Sequence, residues 1–346
     1  MRAVMKVAPG KGAQVVDNAP EPVLQSDEVR IKVAAAMICG TDAHLYEWSQ
    51  SAQDFHPKLP LIMGHECSGT VAEVGSAVKN VSVGDRVSLE THFFCGHCYA
   101  CRTGDAHNCY NMRLLGLTED GVFAEYTKAP ESVCFKLPES IPFDIGALFE
   151  PAGVSVHALQ QAGNVAANSV LVCGCGPVGL VAVQLSMLYG ATKVIALDLN
   201  PHRRKLAEQL GAIAVDPREV DVPELCRTTF ARTGGGVDVA FETSGAADVL
   251  PMLFESVRRE GRIVTVGHPG RTVAVDIAAY INKKGITLKG VFGRRVWDTW
   301  EILLALLDSG RLDLSWLITH RLPIEEFAAG VELTYKDAAK VMLSPA

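Results

Sequence analysis

A chain of 346 residues is long enough for about two domains that each bury a core. With 48% hydrophobic and 21% charged residues, it falls outside the disordered and collagen-like classes. The net charge is −7, and Arg and Lys are scattered or in short pairs such as Arg203-Arg204 and Lys283-Lys284, so the basic stripe of a nucleic-acid binder is missing and no nucleic-acid partner is expected.

Taken in chain order, Met1 to Gly10 opens as a strand and reaches Pro9-Gly10 without the apolar core of a secretory leader, so a cytoplasmic protein is expected. Residues 29–34, 67–74 and 86–89 have strand composition, with Gly75, Gly84-Asp85 and Gly121 marking turns. After about residue 151 the pattern changes. Residues 170–173 read as a buried strand, 178–189 as a helix, 194–198 as a strand, and 201–210 as a helix stopped by Gly211. Further strands are expected at 237–242, 262–266 and 287–291, and this alternation predicts a parallel sheet with crossover helices. The apolar run 170–191 contains four glycines and Pro177, which suits strand–turn–helix better than a membrane span, so no membrane partner is expected. Beyond residue 295 a helix over 297–308 places Trp297, Trp300, Leu304 and Leu307 on one face, and 340–343 reads as a closing strand. The expected organisation is a nucleotide domain over 151–294, inserted into a second domain made from 1–150 and 295–346.

Gly174-Cys-Gly176-Pro-Val-Gly179 lies between the predicted strand and helix, the context of a dinucleotide fingerprint. Gly174 allows the tight turn, Gly176 lets backbone approach a pyrophosphate, and Gly179 permits close helix–strand packing. Asp198 ends the next predicted strand, where a carboxylate accepts from ribose hydroxyls and repels a 2′-phosphate. NAD is therefore the expected cofactor, although Arg203 and Arg204 stand where a cation could hold that phosphate. Cys173 and Cys175 read as small packing residues.

Four of the ten cysteines fall in Cys95-x2-Cys98-x2-Cys101-x7-Cys109, and without a leader this is a metal lobe before it is a disulfide framework. Four thiolates close a tetrahedral shell around Zn2+ and give it a structural role; an iron–sulfur cluster is the rival, weakened because no Pro follows the fourth cysteine. His97 and His107 lie inside the lobe as bystanders. A second, dispersed set is Cys39-Gly-Thr41-Asp42-Ala-His44 with Gly64-His65-Glu66. Cys39 and His65 offer two ligands of a catalytic zinc, which keeps three protein ligands; Glu66 or Glu150 could supply the third.

Together, these motifs, Gly84-Asp-Arg-Val87 included, resemble the zinc-containing medium-chain dehydrogenases over nearly the whole chain and in the expected order. That resemblance implies an α/β protein: a GroES-like, mostly-β catalytic domain plus a Rossmann domain with a doubly wound parallel sheet, assembled as a homodimer or homotetramer. It implies one catalytic and one structural Zn2+ per chain, NAD, and zinc-dependent oxidation of a secondary alcohol. Cys39, His65 and Glu66 would bind the catalytic zinc, Thr41 and His44 would relay the proton, and Glu150 would approach the metal and assist. Val178, Asp198, Arg203, Val266-Gly267-His268 and Val291-Phe292 would contact NAD, the last two groups flanking the nicotinamide. Cys39–Trp48, His92, Gly290–Arg295 with Asp298-Thr-Trp300, and Ser309–Ser315 leading to Ile318–Arg321 resemble the threonine-oxidising branch, so L-threonine to 2-amino-3-ketobutyrate is the expected reaction. Arg294 then either holds the substrate carboxylate or contacts only the cofactor or another subunit, and His92 either contacts substrate or braces the lobe. Glu150-Pro-Ala-Gly-Val-Ser-Val-His157 resembles the polyol dehydrogenases instead, which keeps a polyol or diol as the alternative. A non-catalytic nucleotide-binding relative would have lost metal or relay residues, and this chain keeps them.

Overall fold

The computed structural model describes residues 1–231 and 234–345; Arg232 and Thr233 of the expected nucleotide domain, and Ala346 at the end of the outer segment, lie outside them. The chain divides into one unit of Met1–Pro151 with Arg294–Ala346 and another of Ala152–Gly293.

In the first unit the strand Glu28–Ile38 buries Val29, Ile31 and Val33 and exposes Lys32, the period-two pattern of a half-buried strand. It pairs antiparallel with Glu66–Val74, with Tyr126–Pro130 and with Lys340–Ser344. Arg86–Leu89 and Cys134–Lys136 extend the sheet past Glu66–Val74, and Ile318–Pro323 extends it past Lys340–Ser344, giving seven strands in all. The core beneath includes Ile31, Met63, Phe123 and Phe327. The expected helix at 297–308 forms as Asp298–Asp308, but its buried residues are Thr299, Trp300 and Leu303; Trp297, Leu304 and Leu307 are half-buried. Trp300 packs against Phe135 and Phe149 at 5.4 and 5.7 Å between ring centroids, and this aromatic cluster sets the face.

The second unit is a six-stranded parallel sheet ordered Ile213–Val215, Lys193–Leu197, Ser169–Cys173, Val237–Glu242, Val257–Thr265, Thr287–Gly290. In chain order this is 3-2-1-4-5-6, the doubly wound arrangement whose direction reverses beside the first strand. Ser169–Cys173 and Val237–Glu242 are buried along their whole length, as strands covered on both faces must be. The fifth strand begins at Val257, earlier than the expected 262. Val257 pairs with Val237 and Arg262 with Val239, so the polar stretch 258–261 is a bulge inside a strand, and its composition hides it. The apolar run after residue 170 becomes strand Ser169–Cys173 and helix Pro177–Leu188. Among the described residues no helix is long and apolar enough to cross a membrane.

Candidate functional site

The antiparallel register that sets Met37 opposite Glu66 brings the residues just beyond, Cys39 and His65, out at the same end of the sheet. Cys39 then caps the helix Gly40–Glu47, with its backbone N–H donating to Asp42 Oδ2 at 2.8 Å. The result is a cluster in which the ligand atoms of Cys39, His65 and Glu66 lie within 4.8 Å of one another, His65 and Glu66 being buried. One thiolate, one imidazole and one carboxylate at this spacing form a donor set that fits a zinc ion. Burial opposes charge on His65, but Asp42, 3.4 Å from Nδ1, and Cys39 raise its pKa well above the usual histidine value. Burial raises Glu66 against the opposing pull of Lys340, whose Nζ lies 2.6 Å from its carboxylate; both side chains are buried.

Thr41 and His44 sit on the same short helix, three residues apart and so on one side of it. Thr41 Oγ1 is 3.9 Å from Cys39 Sγ; His44 is exposed, with Nδ1 3.1 Å from Ser49 Oγ.

Glu150 lies outside the three-residue cluster. Its Oε1 accepts from Thr91 Oγ1 at 2.8 Å and from Arg294 Nη1 at 2.6 Å. Arg294 also donates Nε to Glu90 Oε2 at 2.9 Å and Nη2 to Glu90 Oε1. The bidentate grip expected for a substrate carboxylate is therefore given to a carboxylate of the chain itself, and the guanidinium is buried. The assignment of Arg294 to substrate is corrected accordingly: it is the cation of a buried Glu90–Arg294–Glu150 group. Trp300 Nε1 adds a bond to Glu90 Oε2 at 3.1 Å. His92 is buried beside this group and hydrogen-bonds the backbone of His107 in the lobe; burial and Arg294 push its pKa down to about 3. A neutral, buried imidazole tied to the lobe suits bracing.

Cys95, Cys98, Cys101 and Cys109 converge with all four sulfurs within 4.8 Å. The sulfur separations are 3.5 Å (Cys98–Cys101), 3.9 Å (Cys98–Cys109) and 4.0 Å (Cys95–Cys101). A tetrahedron built on Zn–S bonds of about 2.3 Å has edges of roughly 3.8 Å, so the thiols fit zinc. Backbone N–H groups of Cys98 and Asn111 point at Cys95 and Cys109 sulfurs (3.4 and 3.3 Å), the support a thiolate needs. His97 and His107 stand outside this group.

In the second unit Gly174 has φ +96°, and a Cβ there would meet the backbone N of Ser244 at 2.7 Å. A Cβ on Gly179 would meet Gly174 O at 1.8 Å, while Gly176 faces open space, so the loop backbone is bare where a pyrophosphate would approach the N-terminus of Pro177–Leu188. Val178 opens that helix, its carbonyl accepting from Ser155 Oγ at 2.8 Å. Asp198 Oδ2 accepts from Cys175 N and Oδ1 from Asn200 N, both at 2.7 Å, fixing the loop to the strand end. Arg203 lies in the first turn of Pro201–Gln209, capped by Asn200. Val266 and Gly267 donate to Glu242 O at 2.8 and 3.1 Å, His268 meets Phe292 edge-on at 6.1 Å, and Val291 donates to Thr265 O at 2.9 Å.

Asp42, Thr91, Glu90 and Lys340 have no assigned role in the sequence reading. Asp42 had a signal, since an acid three residues after a helix cap returns to the cap. Lys340 had none, because its partner is 274 residues away.

The model of the alcohol dehydrogenase GroES-like domain matches residues 25–139 and that of the zinc-binding dehydrogenases matches 177–309. The chain is 42% identical over 348 aligned positions to a protein named L-threonine 3-dehydrogenase from Caldanaerobacter subterraneus subsp. tengcongensis, covering 100% of this chain and 99% of that one. Among solved structures it is similar to alcohol dehydrogenase TADH from Thermus sp. ATN1 (TM-score 0.91, 31% identity, 99% of each chain). It is also similar to 2R,3R-butanediol dehydrogenase from Bacillus subtilis (TM-score 0.87, 32% identity, 100% of this chain and 99% of that one).

Proposed function

The chain belongs to the zinc-containing medium-chain alcohol dehydrogenases, and on that footing we propose that it oxidises the 3-hydroxyl of L-threonine to the ketone of 2-amino-3-ketobutyrate while NAD+ is reduced to NADH. The substrate rests on one observation, the full-length identity with the named threonine dehydrogenase. When bound, zinc supplies a Lewis acid for the substrate hydroxyl and NAD+ an acceptor for the hydride.

The chain's own residues do the rest. Cys39, His65 and Glu66 hold the catalytic zinc, and of the two candidate carboxylates Glu66 is the ligand because it lies in the cluster. Thr41 takes the hydroxyl proton as it passes its own to His44, and His44, exposed on the same helix, hands it to water. Glu150, held by Thr91 and Arg294, assists the relay. Cys95, Cys98, Cys101 and Cys109 hold the structural zinc. Gly174, Gly176 and Gly179 take the pyrophosphate, Val178, Asp198 and Arg203 the adenosine side, and Val266, Gly267, His268, Val291 and Phe292 the nicotinamide. The protein works in the cytoplasm as a homotetramer or homodimer, which light scattering behind a sizing column will distinguish.

The test is NADH formation by zinc-loaded protein offered L-threonine, sorbitol, xylitol and 2,3-butanediol, with NAD+ and NADP+ in parallel. The highest kcat/KM is expected on threonine with NAD+. Turnover of diols without threonine would replace this reading with the polyol or diol one, which the tract Glu150–His157 and the likeness to butanediol dehydrogenase favour.

A further inference from the structure

Lys193–Leu197 and Ile213–Val215 are parallel neighbours with Leu197 opposite Val215, so Asp198 and Asp216 stand side by side at the carboxyl end of the sheet. That end is where doubly wound sheets take nucleotides. Asp216 is buried and occupied by two arginines. Its Oδ1 accepts from Arg218 N and Nε at 3.0 and 2.9 Å, and its Oδ2 from Arg218 Nη2 at 2.6 Å and Arg204 Nη1 at 3.1 Å. Arg204 Nη1 also donates to the carbonyls of Asp198 and Leu199, both at 2.9 Å, and Arg218 Nη2 reaches Leu199 O at 3.4 Å. Two guanidiniums are thus folded against the backbone that carries Asp198. Hydrogen bonds from Arg218 hold Asp216 far below the usual carboxylate range, so the clamp keeps its charge.

A guanidinium free to offer its planar fork is what recognises a 2′-phosphate. We infer that Asp216 is a second determinant of dinucleotide choice: it pins Arg204 and Arg218 to itself and to the Asp198–Leu199 carbonyls, and so withholds both cations from the 2′-phosphate of NADP(H). Asp198 acts by occupying the ribose position, and Asp216 acts by engaging the cations around it. The inference rests on the reading of Ala152–Gly293 as a nucleotide site.

The test measures dissociation constants of NADH and NADPH, and of 5′-AMP and 2′-AMP, on the full-length protein by calorimetry without substrate. Asp216→Asn keeps the size and an acceptor but removes the charge. NADPH and 2′-AMP should then bind tighter by about tenfold or more, the worth of one charge-assisted hydrogen bond, with NADH little changed. Adding Arg204→Ala and Arg218→Ala to that variant should cancel the gain. Arg218→Ala alone leaves more of the Asp216 charge uncompensated and should weaken NADPH relative to NADH, which keeps the idea testable if Asp216→Asn does not fold. An unchanged NADPH-to-NADH ratio in folded variants would reduce Asp216 to a structural ion pair. Wild-type protein that binds NADPH as tightly as NADH overturns the inference and leaves the nucleotide site standing. Wild-type protein that binds neither dinucleotide overturns both.

Discussion

The thiolate lobe and the Cys39–His65–Glu66 group lie in the same unit and suit the same ion, yet they are assembled in opposite ways. The lobe draws all its donors from residues 95–109 and supports their charge with its own backbone N–H groups. The second group takes its donors from two strand ends brought together by register, and leans on charges outside those strand ends, Asp42 of the helix after Cys39 beside His65 and Lys340, 274 residues from Glu66, beside that carboxylate. A local site closes a shell and holds a shape. A dispersed site has three donors, so chemistry can reach the ion.

If that contrast is right, the largest effect falls on the dispersed group. Cys39→Ser should lower kcat/KM by about 10³-fold or more, with zinc content dropping from about two per chain to about one and the circular dichroism spectrum retained. A variant that keeps both zincs and its activity would remove Cys39 from the site.

The next effect is on stability. Lys340→Met leaves the buried Glu66 carboxylate without its cation, and breaking a buried pair costs about 3–5 kcal/mol. Urea unfolding measures the loss, and the added change Glu66→Gln should recover much of it although activity stays low. Lys340→Met at wild-type stability would show that the pair is not needed for folding.

A smaller change in turnover is expected from the lobe. Cys98→Ser should lose the other zinc and lower Tm, while kcat/KM measured well below that Tm stays within about tenfold, because a closed shell takes no part in the reaction. Complete loss of turnover in a folded Cys98→Ser protein would contradict the division of labour.

The smallest effect is a slope. Burial and Arg294 hold His92 at a pKa of about 3, against 6.5 for an ordinary histidine. Between those values the unfolded chain binds a proton that the native His92 refuses, so stability falls as pH drops from about 6.5 toward 3. His92→Gln should flatten that acid limb of Tm against pH and leave the neutral region unchanged. An identical limb would assign it to other groups.

What could be read from the sequence follows the same division between local and dispersed. The four cysteines, the glycine loop with Asp198, and the strands from Arg86 to Leu89 and Val237 to Glu242 are local patterns, and local patterns survive in a string of letters. The strand at Val257–Thr265 is longer than its composition predicts because its bulge is polar. Arg294 looked available because its two carboxylate partners lie 204 and 144 residues away, where no spacing rule reaches. Trp300, which its spacing places on the apolar face of a helix, also closes a hydrogen bond to Glu90 across 210 residues. Burial of charge is a property of three-dimensional packing, and a sequence shows only that the charges exist.

The interrupted sheet has a consequence for biosynthesis. Cys39, His65 and Glu66 leave the ribosome before the residues of the inserted unit, whereas Lys340–Ser344 emerges after them. Until that strand arrives, the edge of Glu28–Ile38 at residues 36–38 lacks its neighbour, and Glu66 has no ammonium to face. The contiguous unit Ala152–Gly293 can fold as it is made, since domains fold as units during synthesis. The metal-bearing unit, though begun first, is completed second, and a nascent chain arrested just short of residue 340 would hold every residue of the inserted unit while Glu66 still lacked its ammonium partner.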